Sequence, residues 1–166
     1  MLRQLSLATL TITAVTITAC ASYTERSPAA VGTILFVCEH GNVKSLMAAS
    51  YFNDLAQRRG IGVRAISRGA ALDSVTVPAP IVAGLKDDGF DVAAFRPIAL
   101  SAADVAASQR VIVINTALPA GPDVRGKTVE SWNDVPAATV DYAAARDSLK
   151  AHISGLVAQL QAGGDP

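Results

Sequence analysis

Cys38, Lys44 and Ser45 stand in one short run, Cys38-Glu39-His40-Gly41-Asn42-Val43-Lys44-Ser45. Those three residue types at that spacing suit sulfur chemistry on an anion. A thiol attacks as its thiolate, and a nearby cation or helix N-terminus can draw a cysteine pKa from about 8.5 to 7 or below. Lys44 would supply the cation, and the Ser45 hydroxyl a hydrogen bond to the sulfur. His40 sits inside the run and titrates near neutrality when unperturbed, so it could bias the thiolate or touch a ligand. Glu39 beside the sulfur would repel a dianion if its side chain turned inward, and is therefore expected outward. The plainer account of Cys38 is a small buried hydrophobe, the usual condition of a free cysteine.

Such a site needs a strand to hold the sulfur and a helix to aim amides at the ligand. Ile34, Leu35, Phe36 and Val37 form a continuous apolar run ending at Cys38, as expected of a parallel strand buried on both faces. From Lys44 to about Arg58, residues Ala48, Tyr51, Phe52, Leu55 and Ala56 fall on one helical stripe, and Gly60 stops it. The turn between would present the backbone N–H groups of Glu39, His40, Gly41, Asn42, Val43 and Lys44 at a helix N-terminus, where the macrodipole favours negative charge. Further along, Gly62 to Ser67 reads as a second strand, and Ile81 to Lys86 as a helix after a loop containing Pro78 and Pro80. Pro97 to Leu100 is a connector, and Ser101 with Asp104 forms a capping box for a short helix. Arg110 to Asn115 is the clearest central strand after the first, and Lys127 to Trp132 a fourth. A last helix from about Val140 to Gln161 sets Leu149, Ile153, Leu156, Val157 and Leu160 on one face. Strands alternating with helices give an α/β fold with a parallel sheet, its ligand at the carboxyl end of the first strand. No internal repeat interrupts it.

The first residues read differently. Arg3 precedes an uncharged stretch, Leu5 to Ala19, too short to span a bilayer and laid out like a secretory signal. It ends Ile17-Thr18-Ala19-Cys20, which resembles a bacterial lipobox, with Cys20 the lipidated residue; ordinary cleavage after Ala21 is the competing reading. On this account residues 1–19 are a lipoprotein signal, 20–32 a polar tether and 33–163 the domain. The domain is then exported to the periplasmic face of the outer membrane, since Ala21 rather than an aspartate follows the cysteine. Several acyl chains make such an anchor stable where one would not. The whole sequence has 14 basic and 14 acidic side chains; without Arg3 the remainder carries about −1. That balance excludes the concentrated basic face that general nucleic-acid binding needs. With Cys20 acylated, Cys38 has no partner for an internal disulfide, which is unusual in an oxidising compartment. An unpaired thiol there is either buried and inert or kept for chemistry.

The run FVCEHGNVKSLMAA resembles the signature of the low-molecular-weight protein tyrosine phosphatases and related arsenate reductases: a strand, Cys, five residues, Arg-Ser, then Met-Ala in a helix. The resemblance continues through Ser67-Arg68-Gly69, VPAPIVAGLKDDGFDVAAFRP, ADVAASQRVIVIN and VESWNDVPA, covering most of residues 33 to 160 in order. It implies a flavodoxin-like four-stranded parallel sheet with helices on both faces. It implies Cys38 as nucleophile forming a cysteinyl-phosphate, Ser45 as the hydroxyl that settles the thiolate, and the amides from Glu39 to Lys44 as the oxyanion cradle. A phosphate-bearing substrate or oxyanion is the implied ligand, with no metal or organic cofactor, because positioning and electrostatics suffice. Oligomeric state is left open.

Two departures stand out. The family's arginine position is Lys44, which keeps the charge but lacks the planar fork that grips two oxygens. The expected loss is about 2–4 kcal/mol of transition-state stabilisation, the scale of removing one oxyanion donor. Arg68 is a candidate to compensate, or else a solvated loop residue. The family's acid, an aspartate after an apolar-Pro pair, falls on Ala137 in Val135-Pro136-Ala137-Ala138. Asp134 is the nearest substitute, with an ordinary turn residue as its alternative; Asp141 is a weaker one that suits helix capping equally well. Trp132 would wall the site or pack beneath it, and His152 would lie at the surface.

Three functions follow: a slow phosphomonoesterase acting through Cys38, a disarmed phosphate- or phosphoprotein-binding module, and, less favoured, an arsenate reductase. Thioredoxin-coupled reduction needs two further cysteines that this chain lacks. A nucleotide-binding P-loop ending at Lys44-Ser45 is rejected, because its glycines would fall on Cys38 and Val43.

Overall fold

A computed structural model of the chain describes residues 32–163. The leader, Cys20 and the tether up to residue 31 lie outside the described residues. Gly32, assigned above to the tether, is already strand and pairs with Val63.

The apolar run makes the centre of the sheet. Strand β1 spans Gly32–Cys38, and Ile34, Leu35, Phe36 and Val37 have no exposed surface. Strand β2 (Val63–Gly69) pairs on one side and β3 (Arg110–Ile114) on the other, with β4 (Thr128–Trp132) outside β3. All three pairings are parallel and the order is β2-β1-β3-β4. Alternation of side chains along β1 then divides the core. Ile34, Phe36 and Cys38 face the larger cluster, with Met47, Phe52, Leu149 and Trp132. Leu35 and Val37 face the smaller one, with Val105, Val111 and Val113.

Helix α1 (Lys44–Arg58) buries Ala48, Tyr51, Phe52 and Ala56 of the expected stripe, with Leu55 half-buried at its edge. It ends in a Schellman-type turn: Ile61 N–H donates to the Ala56 carbonyl (2.9 Å) and Gly60, at φ 65°, to that of Gln57 (3.1 Å). Helices α2 (Ala79–Asp87) and α4 (Tyr142–Gln161) share α1's side of the sheet, contributing Ile81, Leu85, Leu149 and Ile153. The short α3 (Ala102–Ala107) covers the other side through Val105 and carries the expected Ser101–Asp104 capping box. Tyr51 and Tyr142 both donate to Asp88 Oδ2, at 2.6 and 2.9 Å, which ties α1, α4 and the end of α2 together.

Candidate active site

Because Cys38 ends β1 on an even position, its side chain faces α1, and the N-terminus of α1 returns beside it. Cys38 Sγ lies 3.0 Å from Ser45 Oγ, and Ser45 is completely buried. Ser67, two residues beyond Ala65 on the same face of β2, places its Oγ 2.8 Å from Ser45 Oγ and 3.1 Å from the Gly41 carbonyl. Each hydroxyl has one proton. If Ser67 donates to Ser45, then Ser45 donates to sulfur, a relay that favours a sulfur bearing negative charge. Ser67 was legible only as part of a resemblance. Its role depends on the register Phe36↔Ser67 between β1 and β2.

The loop carries its amides inward because its carbonyls are bound elsewhere. Ala70 N–H donates to the Cys38 carbonyl (2.9 Å) and Ala71 N–H to that of Glu39 (2.8 Å). In a trans peptide the carbonyl and the following N–H point oppositely. The amides of Glu39 and His40 therefore point away from β2's exit. Among the described residues, none of the N–H groups of Glu39 to Lys44 donates to a protein carbonyl. Val43, at the helix N-cap, makes no side-chain cap, and the first turn of α1 holds no acidic residue. These are the donors an anion would use.

Two glycines make the loop's approach to β2 feasible. Gly41 has φ 70°, and a Cβ there would stand 2.5 Å from Gly69 N; one on Gly69 would stand 2.9 Å from the His40 carbonyl carbon. Neither backbone can yield.

Lys44 does not hang free over the sulfur. Its Nζ donates to Asn115 Oδ1 (2.8 Å) and to the Val135 carbonyl (3.0 Å). Burial pulls its pKa below the usual lysine value, and the charge of Cys38 partly offsets that. Asn115, expected as the last residue of β3, instead lies past its end at φ 49°, the one non-glycine residue with positive φ among those described. Its Nδ2 donates to the Asn133 carbonyl (2.9 Å), so Asn115 clasps Lys44 and the segment after β4 at once. This residue was missed as a site residue. The available signal was an Asn closing an apolar strand, since Asn tolerates the left-handed region that others avoid.

The other candidates scatter. Arg68 bonds Asp104 (Nη2–Oδ1 2.8 Å) and the Ser67 carbonyl (2.8 Å), so its guanidinium anchors α3. Asp134 Oδ1 lies 2.8 Å from His152 Nε2, and that hydrogen bond holds its carboxyl below the usual carboxylate range. A group so shifted is a poor proton donor near neutrality. His152 stacks on Trp132 (4.6 Å between ring centroids), which itself packs on Phe36 (5.5 Å). Asp141 caps α4 by accepting from Ala144 N–H (2.9 Å). Asn42 donates from Nδ2 to the Thr76 carbonyl (2.8 Å), which draws the loop after β2 against the cradle; His40 Nδ1 lies 2.8 Å from Asp73 Oδ1 but out of hydrogen-bond alignment. Glu39 is turned outward. A groove of about 500 Å³ beside Trp132, Asp134, His152 and Gln159 is lined by none of the loop residues, so its size does not make it the reactive centre.

A parallel β2-β1-β3-β4 sheet with a cysteine loop leading from β1 into the first helix defines a flavodoxin-like domain of the phosphotyrosine phosphatase type. The profile of the low molecular weight phosphotyrosine protein phosphatases matches residues 33–119, and the chain belongs to that family. Comparison with curated protein sequences gives no significant match. Among solved structures it resembles the low molecular weight protein tyrosine phosphatase of T. tengcongensis (TM-score 0.69, 20% identity, covering 77% of this chain and 99% of that one). It is similar to the YwlE arginine phosphatase of Geobacillus stearothermophilus (TM-score 0.67, 23% identity, 80% and 94%). It is also similar to the thioredoxin-dependent arsenate reductase Cg_ArsC1′ of Corynebacterium glutamicum (TM-score 0.67, 21% identity, covering 83% of this chain). The chain spans 65% of the length of that last structure.

Proposed function

We propose that this chain is a phosphomonoesterase acting through Cys38, slow by the standard of its family. The observation that carries the reading is the run of unbonded amides from Glu39 to Lys44 leading from a sulfur that Ser45 contacts. The Cys38 thiolate attacks phosphorus, forming the S–P bond as the ester O–P bond breaks, and the leaving oxygen takes a proton. Water then attacks the same phosphorus, the S–P bond breaks, and inorganic phosphate leaves with the thiolate restored. The loop amides bind the equatorial oxygens, over which the transferring phosphoryl group spreads its charge. No fork-shaped cation supports them, and Asp134, the carboxyl nearest in sequence to Ala137 where the family's acid falls, is engaged with His152, which together account for a low rate. Hydrolysis of para-nitrophenyl phosphate by reduced protein, abolished in Cys38→Ser, is the expected result; no turnover above that variant rejects the reading.

The binding-module reading draws on one specific observation: the Lys44 ammonium already has two acceptors in the protein. It is separated from the enzyme by turnover alone. Arsenate reduction is the weaker reading, because thioredoxin-coupled resolution of an oxidised Cys38 needs two further thiols, and the sequence has only Cys20 besides, which the lipid anchor would occupy. Export and lipid anchoring at Cys20 complete the proposal, carried by the Ile17-Thr18-Ala19-Cys20 junction. Labelled palmitate should enter the wild type and not Cys20→Ser.

A further inference from the structure

Asn115 stands exposed just past the carboxyl end of β3, so packing against the core does not explain its identity. Its backbone turns at φ 49°, and its N–H donates to the Trp132 carbonyl (3.0 Å). Glycine would take that conformation at lower cost, and the backbone bond needs no side chain. What asparagine adds is the amide. Its Nδ2 donates to the Asn133 carbonyl (2.9 Å), which leaves the acceptor end, Oδ1, to face Lys44 Nζ at 2.8 Å.

The second observation is the kind of acceptor that Lys44 meets. An ammonium carries three protons. Asn115 Oδ1 and the Val135 carbonyl take two of them, and among the described residues no third acceptor in the protein is found. Both acceptors are neutral dipoles, which orient a cation without discharging it. Arg68 is different, because its guanidinium is paired with a carboxylate, Asp104 Oδ1 at 2.8 Å. The two ties of Lys44 pin a head that otherwise swings on a flexible four-carbon stem. They hold it within the field of the sulfur, since the charge of Cys38 acts on Lys44.

Resting on the phosphatase reading of this site, we propose that Asn115 positions Lys44 for the ligand: its neutral amide holds the ammonium beside the cradle with its charge intact and one proton left for a phosphoryl oxygen. A lysine held in this way recovers part of the directionality that an arginine has in its own planar group. Asn115 touches no reacting atom and acts through Lys44 alone.

The test titrates inorganic phosphate into the otherwise wild-type protein by calorimetry, which reads the site whether or not it turns over. Asn115→Gly keeps the left-handed backbone and removes the amide, and should weaken phosphate binding about five-fold. Asn115→Asp keeps the acceptor and tolerates the same backbone, but pairs the ammonium with a carboxylate. It should weaken binding about ten-fold or more at low salt, and the excess over Asn115→Gly should fade near 1 M salt, where the Debye length is about 3 Å. In a Lys44→Met background, Asn115→Gly should change phosphate affinity less than about two-fold, because the two residues act as one unit. With para-nitrophenyl phosphate, Asn115→Gly alone should lower kcat/KM about ten-fold. A merely structural asparagine would lower the urea midpoint and leave phosphate affinity alone. That result, an undiminished loss in the Lys44→Met background, or no phosphate binding by the wild type would overturn the proposal. Phosphate binding that depends on both residues, without hydrolysis by the wild type, would instead remove the phosphatase reading and leave the positioning role standing.

Discussion

Lys44 decides how far this site departs from its family. A lysine cannot contact two phosphoryl oxygens in one plane, and here its ammonium also holds Asn115 and Val135 in place. Lys44→Arg should raise kcat/KM about ten-fold, because a bidentate grip strengthens as phosphorus becomes trigonal bipyramidal. An unchanged or lowered kcat/KM would show that the tie to Asn115 matters more than the fork. Ala137→Asp in the same background should help substrates with poor leaving groups most, where protonation limits the rate. A rate gain equal for para-nitrophenyl and alkyl esters would show that the new carboxyl is not donating a proton. Asp134 is unsuited to that task by the same reasoning, since His152 keeps it ionised.

At the scale of elements, the loop depends on β2 as much as on its own residues. Gly41→Ala places a methyl group against Gly69 N in a backbone region that side chains rarely adopt. It should cost about 2–4 kcal/mol of stability, above the ~1 kcal/mol of an average substitution. An unfolding midpoint within about 0.5 kcal/mol of wild type would mean the two segments separate easily. The Asp88 cluster gives a pH-dependent counterpart. Burial works against the Asp88 carboxylate, but the Tyr51 and Tyr142 hydroxyls, with Lys150 and Arg146, hold its pKa below normal. Its contribution is therefore present above the unfolded aspartate value of about 3.9 and lost as pH falls through the lower folded value. Burial and the bond to Asp88 push Tyr142 up to about 12. Asp88→Asn should flatten the fall in stability below pH 4, as urea midpoints would register.

For the whole molecule, ligand and fold are linked. Vanadate at a hundred times its dissociation constant should stabilise the protein by about 2.7 kcal/mol, on the order of 10 °C in Tm for a domain this size. Lys44→Met should shrink the shift, and a flat melting curve would show no formed cradle. The sheet and its helices were legible because their signals are local. The β1 run is apolar without a break, the α1 and α4 stripes repeat every three or four residues, and Ser101 lies three residues from Asp104. Boundaries slipped by one or two residues where a cap decided them, as at Asp141. Cys38, Ser45 and the loop amides were legible for the same reason, being one contiguous stretch. Ser67, Asn115 and the Asp134–His152 pair were not, because strand register and loop return bring them together, and no periodicity encodes that.

The two acceptors of Lys44 lie 71 and 91 residues further along the chain. A chain that has formed β1, α1 and β2 therefore owns the sulfur, both serines and the glycine contact, yet leaves the ammonium unanchored until β3 and the stretch after β4 have docked. Closure of such distant pairs comes late in folding. Diluted out of urea, the protein should regain helical circular dichroism before it regains any reaction at Cys38. In a compartment that oxidises exposed thiols, the interval between those two events is when Cys38 is most vulnerable, and a longer delay would appear as a larger fraction of irreversibly dead protein.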